Sequence, residues 1–149
     1  MFNHFARETY IIIKMYCWWT MITENYSISF LGLDPLYYSS TIVGNNWNIA
    51  ADKIYEETGI RISGRIQERY IVGQDEEELN NTIIFLVESS RVPDEVATEE
   101  EYWDAYRDVI EEVRRRLGNP RMDLTITRAD MYYFRKIWHD PSGRECRSI

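Results

Sequence analysis

Between Thr98 and Pro120 the chain reads TEEEYWDAYRDVIEEVRRRLGNP, and no other stretch restricts the fold so tightly. Thr98 is placed to cap a first helical turn, and Glu101 three residues on completes a capping box, so each side chain satisfies a backbone N–H that a helix start leaves free. Glu99, Glu100 and Glu101 sit at the positive end of the helix dipole, and Arg114, Arg115 and Arg116 at the negative end. Gly118 offers a left-handed C-cap, and Pro120 forbids continuation. Tyr102, Tyr106, Val109, Ile110, Val113 and Leu117 recur at helical spacing, so this helix has one apolar stripe that must lie on a core. Glu111 to Arg115 and Glu112 to Arg116 are spaced to pair along the wet face.

The rest of the chain supplies strands for that helix to cover. Phe2 to Thr23 is aromatic and β-branched, which favours a strand over a helix. Tyr26 to Leu33 alternates Tyr26, Ile28 and Phe30 with Ser27 and Ser29, the pattern of a half-buried strand. A loop rich in Tyr, Ser and Gly runs to Gly44. Asn45 or Asn46 can then cap a second helix, Trp47 to Thr58, with Trp47, Ala50, Ala51, Ile54 and Thr58 on one face and Gly59 as its stop. Ile60 to Val72 alternates Ile60, Ile62, Ile66, Tyr70 and Val72 against Arg61, Ser63, Arg65, Gln67 and Arg69. Thr82 to Glu88, TIIFLVE, is apolar on both faces and so belongs at the centre of a sheet. Arg121 to Thr127 gives a further alternating strand. Ala129 to Trp138 reads as a short helix or a continuation of that strand, and Asp140-Pro-Ser-Gly allows a final hairpin.

Strand, helix, strand, strand, helix, strand is the βαββαβ order of ferredoxin-like α+β folds, in which two helices cover one face of an antiparallel sheet. The first and third strands are then central, and the second and fourth lie at the edges. Met21 reads as a natural start for this core, so we divide the chain into an appended strand or flap (residues 1–23), the core (24–128) and a C-terminal extension (129–149), all in one compact domain. A chain of 149 residues that is 44% hydrophobic is long and apolar enough to bury a core. Two cysteines are too few for a disulfide scaffold, which points to a reducing, cytoplasmic setting. The apolar run Tyr10 to Ile22 is interrupted by Lys14 and falls short of the roughly 20 residues that span a bilayer, so neither a membrane anchor nor a signal peptide is expected.

Recognisable catalytic motifs are missing. His4, Cys17, His139 and Cys146 match no usual zinc spacing, so no metal and no cofactor is expected. There is no G-x-S-x-G elbow, and neither histidine shares a motif with a serine or cysteine. Gly44-Asn45-Asn46 before a helix is more simply a loop than an anion site. Phe85 lacks the glycine-aromatic context of an RNA-recognition sheet, so direct nucleic-acid binding is not expected.

Charge is the remaining feature. Gly73 to Glu112 holds fourteen acidic residues against Arg91 and Arg107, a balance of −12, and the rest of the chain carries +4 within a total of −8. Such an acidic face attracts basic surfaces that normally hold phosphate backbone. The sequence therefore suggests a non-enzymatic interaction protein, a nucleic-acid-mimic or anti-CRISPR-type inhibitor encoded by a virus or mobile element. It would occupy the basic groove of a nucleic-acid-handling protein through Asp75, Glu76, Glu77, Glu78, Glu100, Asp104, Asp108 and Glu111. One rival is a small enzyme or ligand-binding regulator whose Arg61, Arg65 and Arg69 stripe holds a phosphorylated ligand on the open sheet face. Another is a homo-oligomeric module, a homodimer for instance, sharing apolar surface from TIIFLVE and Trp18-Trp19.

Overall fold

The computed structural model describes residues 16–73 and 82–136. Its elements are β1 (Tyr16–Leu31), α1 (Ser40–Thr58), β2 (Arg65–Tyr70), β3 (Ile83–Ser90), α2 (Glu99–Arg116) and β4 (Arg121–Lys136). The strands form one four-stranded antiparallel sheet in the order β2-β3-β1-β4, so β3 is central as its two-sided apolar pattern requires. This is the ferredoxin-like α+β arrangement. The chain divides into two compact units, Thr23–Arg128 and Met1–Ile22 with Ala129–Ile149. The first holds both helices, β2, β3, residues 23–31 of β1 and residues 121–128 of β4. The described part of the second is strand alone, residues 16–22 and 129–136.

Both helices pack on the same face of the sheet. Tyr26, Ile28 and Phe30 of β1 and Phe85 and Val87 of β3 meet Val43, Trp47, Ala50, Ala51 and Ile54 of α1 and the whole apolar stripe of α2 in one buried core. Aromatic rings make its centre: Tyr26 lies 4.5 Å from Tyr106 and 5.1 Å from Tyr102 between ring centroids. Helix α2 starts as its sequence dictates, with the Glu101 N–H donating to Thr98 Oγ1 at 3.3 Å, and Gly118 follows its C-terminus at φ +82°. Arg115 and Arg116 both turn to Glu112, at 2.6 and 3.1 Å.

Four elements have boundaries that differ from the sequence pattern. Helix α1 begins at Ser40, capped by Ser39 and not by Asn45 or Asn46, and Asn46 instead donates to the Ile42 carbonyl from inside the helix. Strand β2 begins only at Arg65. The Ile62 carbonyl is taken by the Trp47 indole N–H at 3.1 Å, and a Cβ on Gly64 would lie 2.5 Å from Val87 Cγ1, so residues 60–64 tuck beneath α1 instead of joining the ladder. Strands β1 and β4 are longer than the alternating segments suggested, and residues 129–136 continue the strand instead of turning helical. The hairpin read at Asp140 lies outside the described residues.

The helix assignment makes a stability prediction. Tyr106→Ala and Val113→Ala should each cost about 2–4 kcal/mol, because both side chains are fully buried, while exposed Glu100→Ala should cost well under about 1 kcal/mol. Tyr106→Phe should be neutral or stabilising, since the Tyr106 hydroxyl is buried with no hydrogen-bond partner among the described residues. Denaturant midpoints for the four variants check this. Equal shifts for all of them would contradict the assigned face.

Candidate functional site

Strand alternation sends Tyr26, Ile28 and Phe30 to the helices and leaves Asn25, Ser27 and Ser29 on the opposite face. Register then decides which residues meet there. Ser27 stands opposite Glu88, and Glu88 opposite Arg65, so three strands contribute one row across the sheet. Two residues along the same face, Asn25 stands opposite Ser90, whose Oγ donates to Asn25 Oδ1 at 2.6 Å. Asn25, Ser27, Arg65, Glu88 and Thr127, with the strand residues Tyr26 and Ser89 between them, line a cavity of about 330 Å3. Among the described residues neither Arg65 nor Glu88 makes an ion pair or side-chain hydrogen bond, so both charges face the cavity uncommitted.

The three arginines read as one stripe are thereby separated. Arg61 is in the segment before β2, bound to Asp52 and stacked 4.2 Å above the Tyr55 ring. Arg69 is on β2 but donates to Gln67 at 3.1 Å. Arg65 alone of the three lines this cavity. The acidic positions that are described, those on α2, stand among cations. Asp75, Glu76, Glu77 and Glu78 lie outside the described residues. On α2, Glu100 is exposed, Asp104 lies 3.8 Å from Arg107, and Asp108 and Glu111 share a groove with Lys53 and Arg115. Helical spacing brought the cations with the acids. The Arg115 hydrogen bond, first of all, holds the Glu112 carboxyl below its usual range.

A second polar cluster lies on the helix side of the sheet. Glu24 and Arg91 are almost fully buried and joined by two bonds, Nε to Oε2 at 2.6 Å and Nη2 to Oε1 at 3.1 Å. Arg91 also donates to the carbonyls of Val96 and Ala97, at 3.0 and 3.1 Å, and the Thr23 hydroxyl donates to the Arg91 carbonyl. Arg128 bridges Glu99 to Glu24, at 3.0 and 3.6 Å. Every arm of the Arg91 guanidinium has an acceptor, so this is a clamp between β1, β3 and the turn into α2. Burial first, then the charges of Glu24 and Glu99, pushes the Tyr26 phenol up to about 12, which keeps it neutral at physiological pH.

Comparison with known proteins identifies what such a sheet belongs to. The family model described as SAM lyase matches residues 21–135. The chain belongs to the SAM lyase family. A phage SAM lyase solved with S-methyl-5'-thioadenosine is similar in fold, with a TM-score of 0.50 at 13% identity over 80% of this chain and 93% of that one. A phage SAM lyase in the apo state gives a TM-score of 0.48 at 15% identity, over 81% of this chain and 94% of that one. No curated protein matches the sequence. The family overturns the expectation of a non-enzymatic inhibitor docked on a basic nucleic-acid-binding protein: SAM lyases are enzymes with a small-molecule substrate. Charge excess and the lack of a nucleophile motif are compatible with many functions, an enzyme of this family among them. Among the described residues no helix is long and apolar enough to cross a membrane.

Among the lining residues, the sequence marks only Arg65 as a candidate for ligand binding. The sequence did place Ser27 on a polar face and Glu88 at the end of TIIFLVE. What it lacked was the register that puts them side by side.

Proposed function

We propose that this chain cleaves S-adenosylmethionine between its sulfonium sulfur and the aminobutyrate chain, releasing S-methyl-5'-thioadenosine, in the cavity lined by Asn25, Ser27, Arg65, Glu88 and Thr127. The observation that carries this reading is the family match over residues 21–135, a span that includes every one of these positions. Chemistry supports the assignment of roles. The substrate carries a sulfonium, an ammonium and a carboxylate at one end and a neutral nucleoside at the other. Glu88 meets the cationic groups and Arg65 the carboxylate, and neither charge is committed elsewhere among the described residues.

The reaction needs no nucleophile from the protein, which accords with the lack of a nucleophile motif. An oxygen of the substrate's own carboxylate bonds to the γ carbon as the carbon–sulfur bond breaks, and that bond's electron pair passes to sulfur. The products are a neutral thioether and a five-membered lactone, with no proton, water or oxidant consumed. Ring closure within one bound molecule has a high effective concentration when the chain is held folded. Opposite charges vanish along the way, so a site that strips water from them favours the step. Elimination would instead require removal of an unactivated C–H proton, a far harder task for a carboxylate base.

The substrate is a net cation at neutral pH, and the chain's net charge of −8 attracts it. S-Adenosylmethionine is made and used in the cytoplasm, and we place the activity there. Purified protein incubated with S-adenosylmethionine should yield S-methyl-5'-thioadenosine and the γ-lactone, read by chromatography and mass spectrometry. Substrate that survives intact, or products that retain the sulfur on the four-carbon fragment, would refute the reading.

A further inference from the structure

The cavity is polarised along the strands, and its neutral end contains a side chain with a fixed orientation. Arg65 and Glu88 form the charged row. Asn25 and Ser90 form the next row on the same face, two residues or about 7 Å along the strands. The Ser90 hydroxyl donates to Asn25 Oδ1 at 2.6 Å and so fixes which way the amide faces. The Asn25 amide nitrogen, with two N–H donors, is left as the group this exposed residue offers to the cavity. A donor at the uncharged end suits a neutral ligand part rich in acceptors, and the ring nitrogens of adenine are such acceptors.

We infer that Asn25 is a specificity-determining residue that donates a hydrogen bond to a ring nitrogen of the substrate's adenine, with Ser90 as the positioning residue that orients the amide. The inference rests on the lyase reading above. Binding to both ends of the reaction is equally strengthened by such a contact, so it lowers KM and leaves kcat nearly unchanged.

The test is calorimetry of the full chain with S-methyl-5'-thioadenosine and its 1-, 3- and 7-deaza analogues, together with steady-state kinetics on S-adenosylmethionine. Asn25→Ala should weaken binding of the parent compound about three- to tenfold, the usual range for one neutral hydrogen bond, and raise KM by a similar factor with little change in kcat. Asn25→Asp, which offers no donor, should do no better. Ser90→Ala should have a smaller effect of the same kind, restored by Ser90→Thr. One deaza analogue should bind the wild type more weakly than the parent compound and bind Asn25→Ala as the parent does. Parent binding unchanged in Asn25→Ala, or the same deaza losses in variant and wild type, would overturn the inference alone. A wild type that neither binds the thioadenosine nor cleaves the substrate would overturn it together with the lyase reading.

Discussion

Glu24→Ala will lower folding stability by about 3–5 kcal/mol. Glu24 is 1% exposed and its partner Arg91 is 5% exposed, so truncation leaves a guanidinium buried without its counter-charge. That penalty exceeds what the intact pair contributes, because the pair also gave up its hydration on folding. Arg128 cannot take the place of Glu24, being itself a cation, and would lose one of its two carboxylate partners. Glu24→Met combined with Arg91→Met should recover only part of the loss. It removes the orphaned charge but also strips the carbonyls of Val96 and Ala97 of their donor. Chemical denaturation of the two variants checks this, and a loss under about 1 kcal/mol for Glu24→Ala would show that water reaches the pair.

Glu88→Gln is expected to reduce kcat/KM for S-adenosylmethionine about 30- to 300-fold, since the cationic end of the substrate loses its counter-charge in a partly desolvated row. Glu88→Asp should retain part of the activity, having the charge at shorter reach. Folding stability should stay within about 0.5 kcal/mol of the wild type, because Glu88 is half-buried and has no ion-pair partner among the described residues to abandon. Arg65→Ala should weaken S-adenosylmethionine more than S-methyl-5'-thioadenosine, which lacks the carboxylate. Arg61→Ala should alter neither, as Arg61 is spent on Asp52 and Tyr55. Full activity in Glu88→Gln would remove this row from the site.

Local signals of the sequence determined the elements and their layering. Thr98, Glu101 and Gly118 delimit α2 through contacts within a few residues, and the stripe from Tyr102 to Leu117 specifies its buried face. The two-sided apolarity of β3 likewise demands a central strand, since no edge could cover both faces. Where a boundary depended on a distant partner, the pattern misled. Arg61 continues the alternation of β2 in sequence, yet Trp47, fifteen residues before Ile62, takes the carbonyl that would have extended the strand. The site is of this second kind. Asn25, Ser27, Arg65, Glu88, Ser90 and Thr127 are ordinary polar residues on four strands, and nothing in their spacing marks them. Glu24 and Arg91, 67 positions apart, were equally invisible as a pair. A helix is stabilised by neighbours three and four residues away, whereas a sheet joins segments whose register is set only when the common core forms, so chemistry assembled across strands appears only in the tertiary structure.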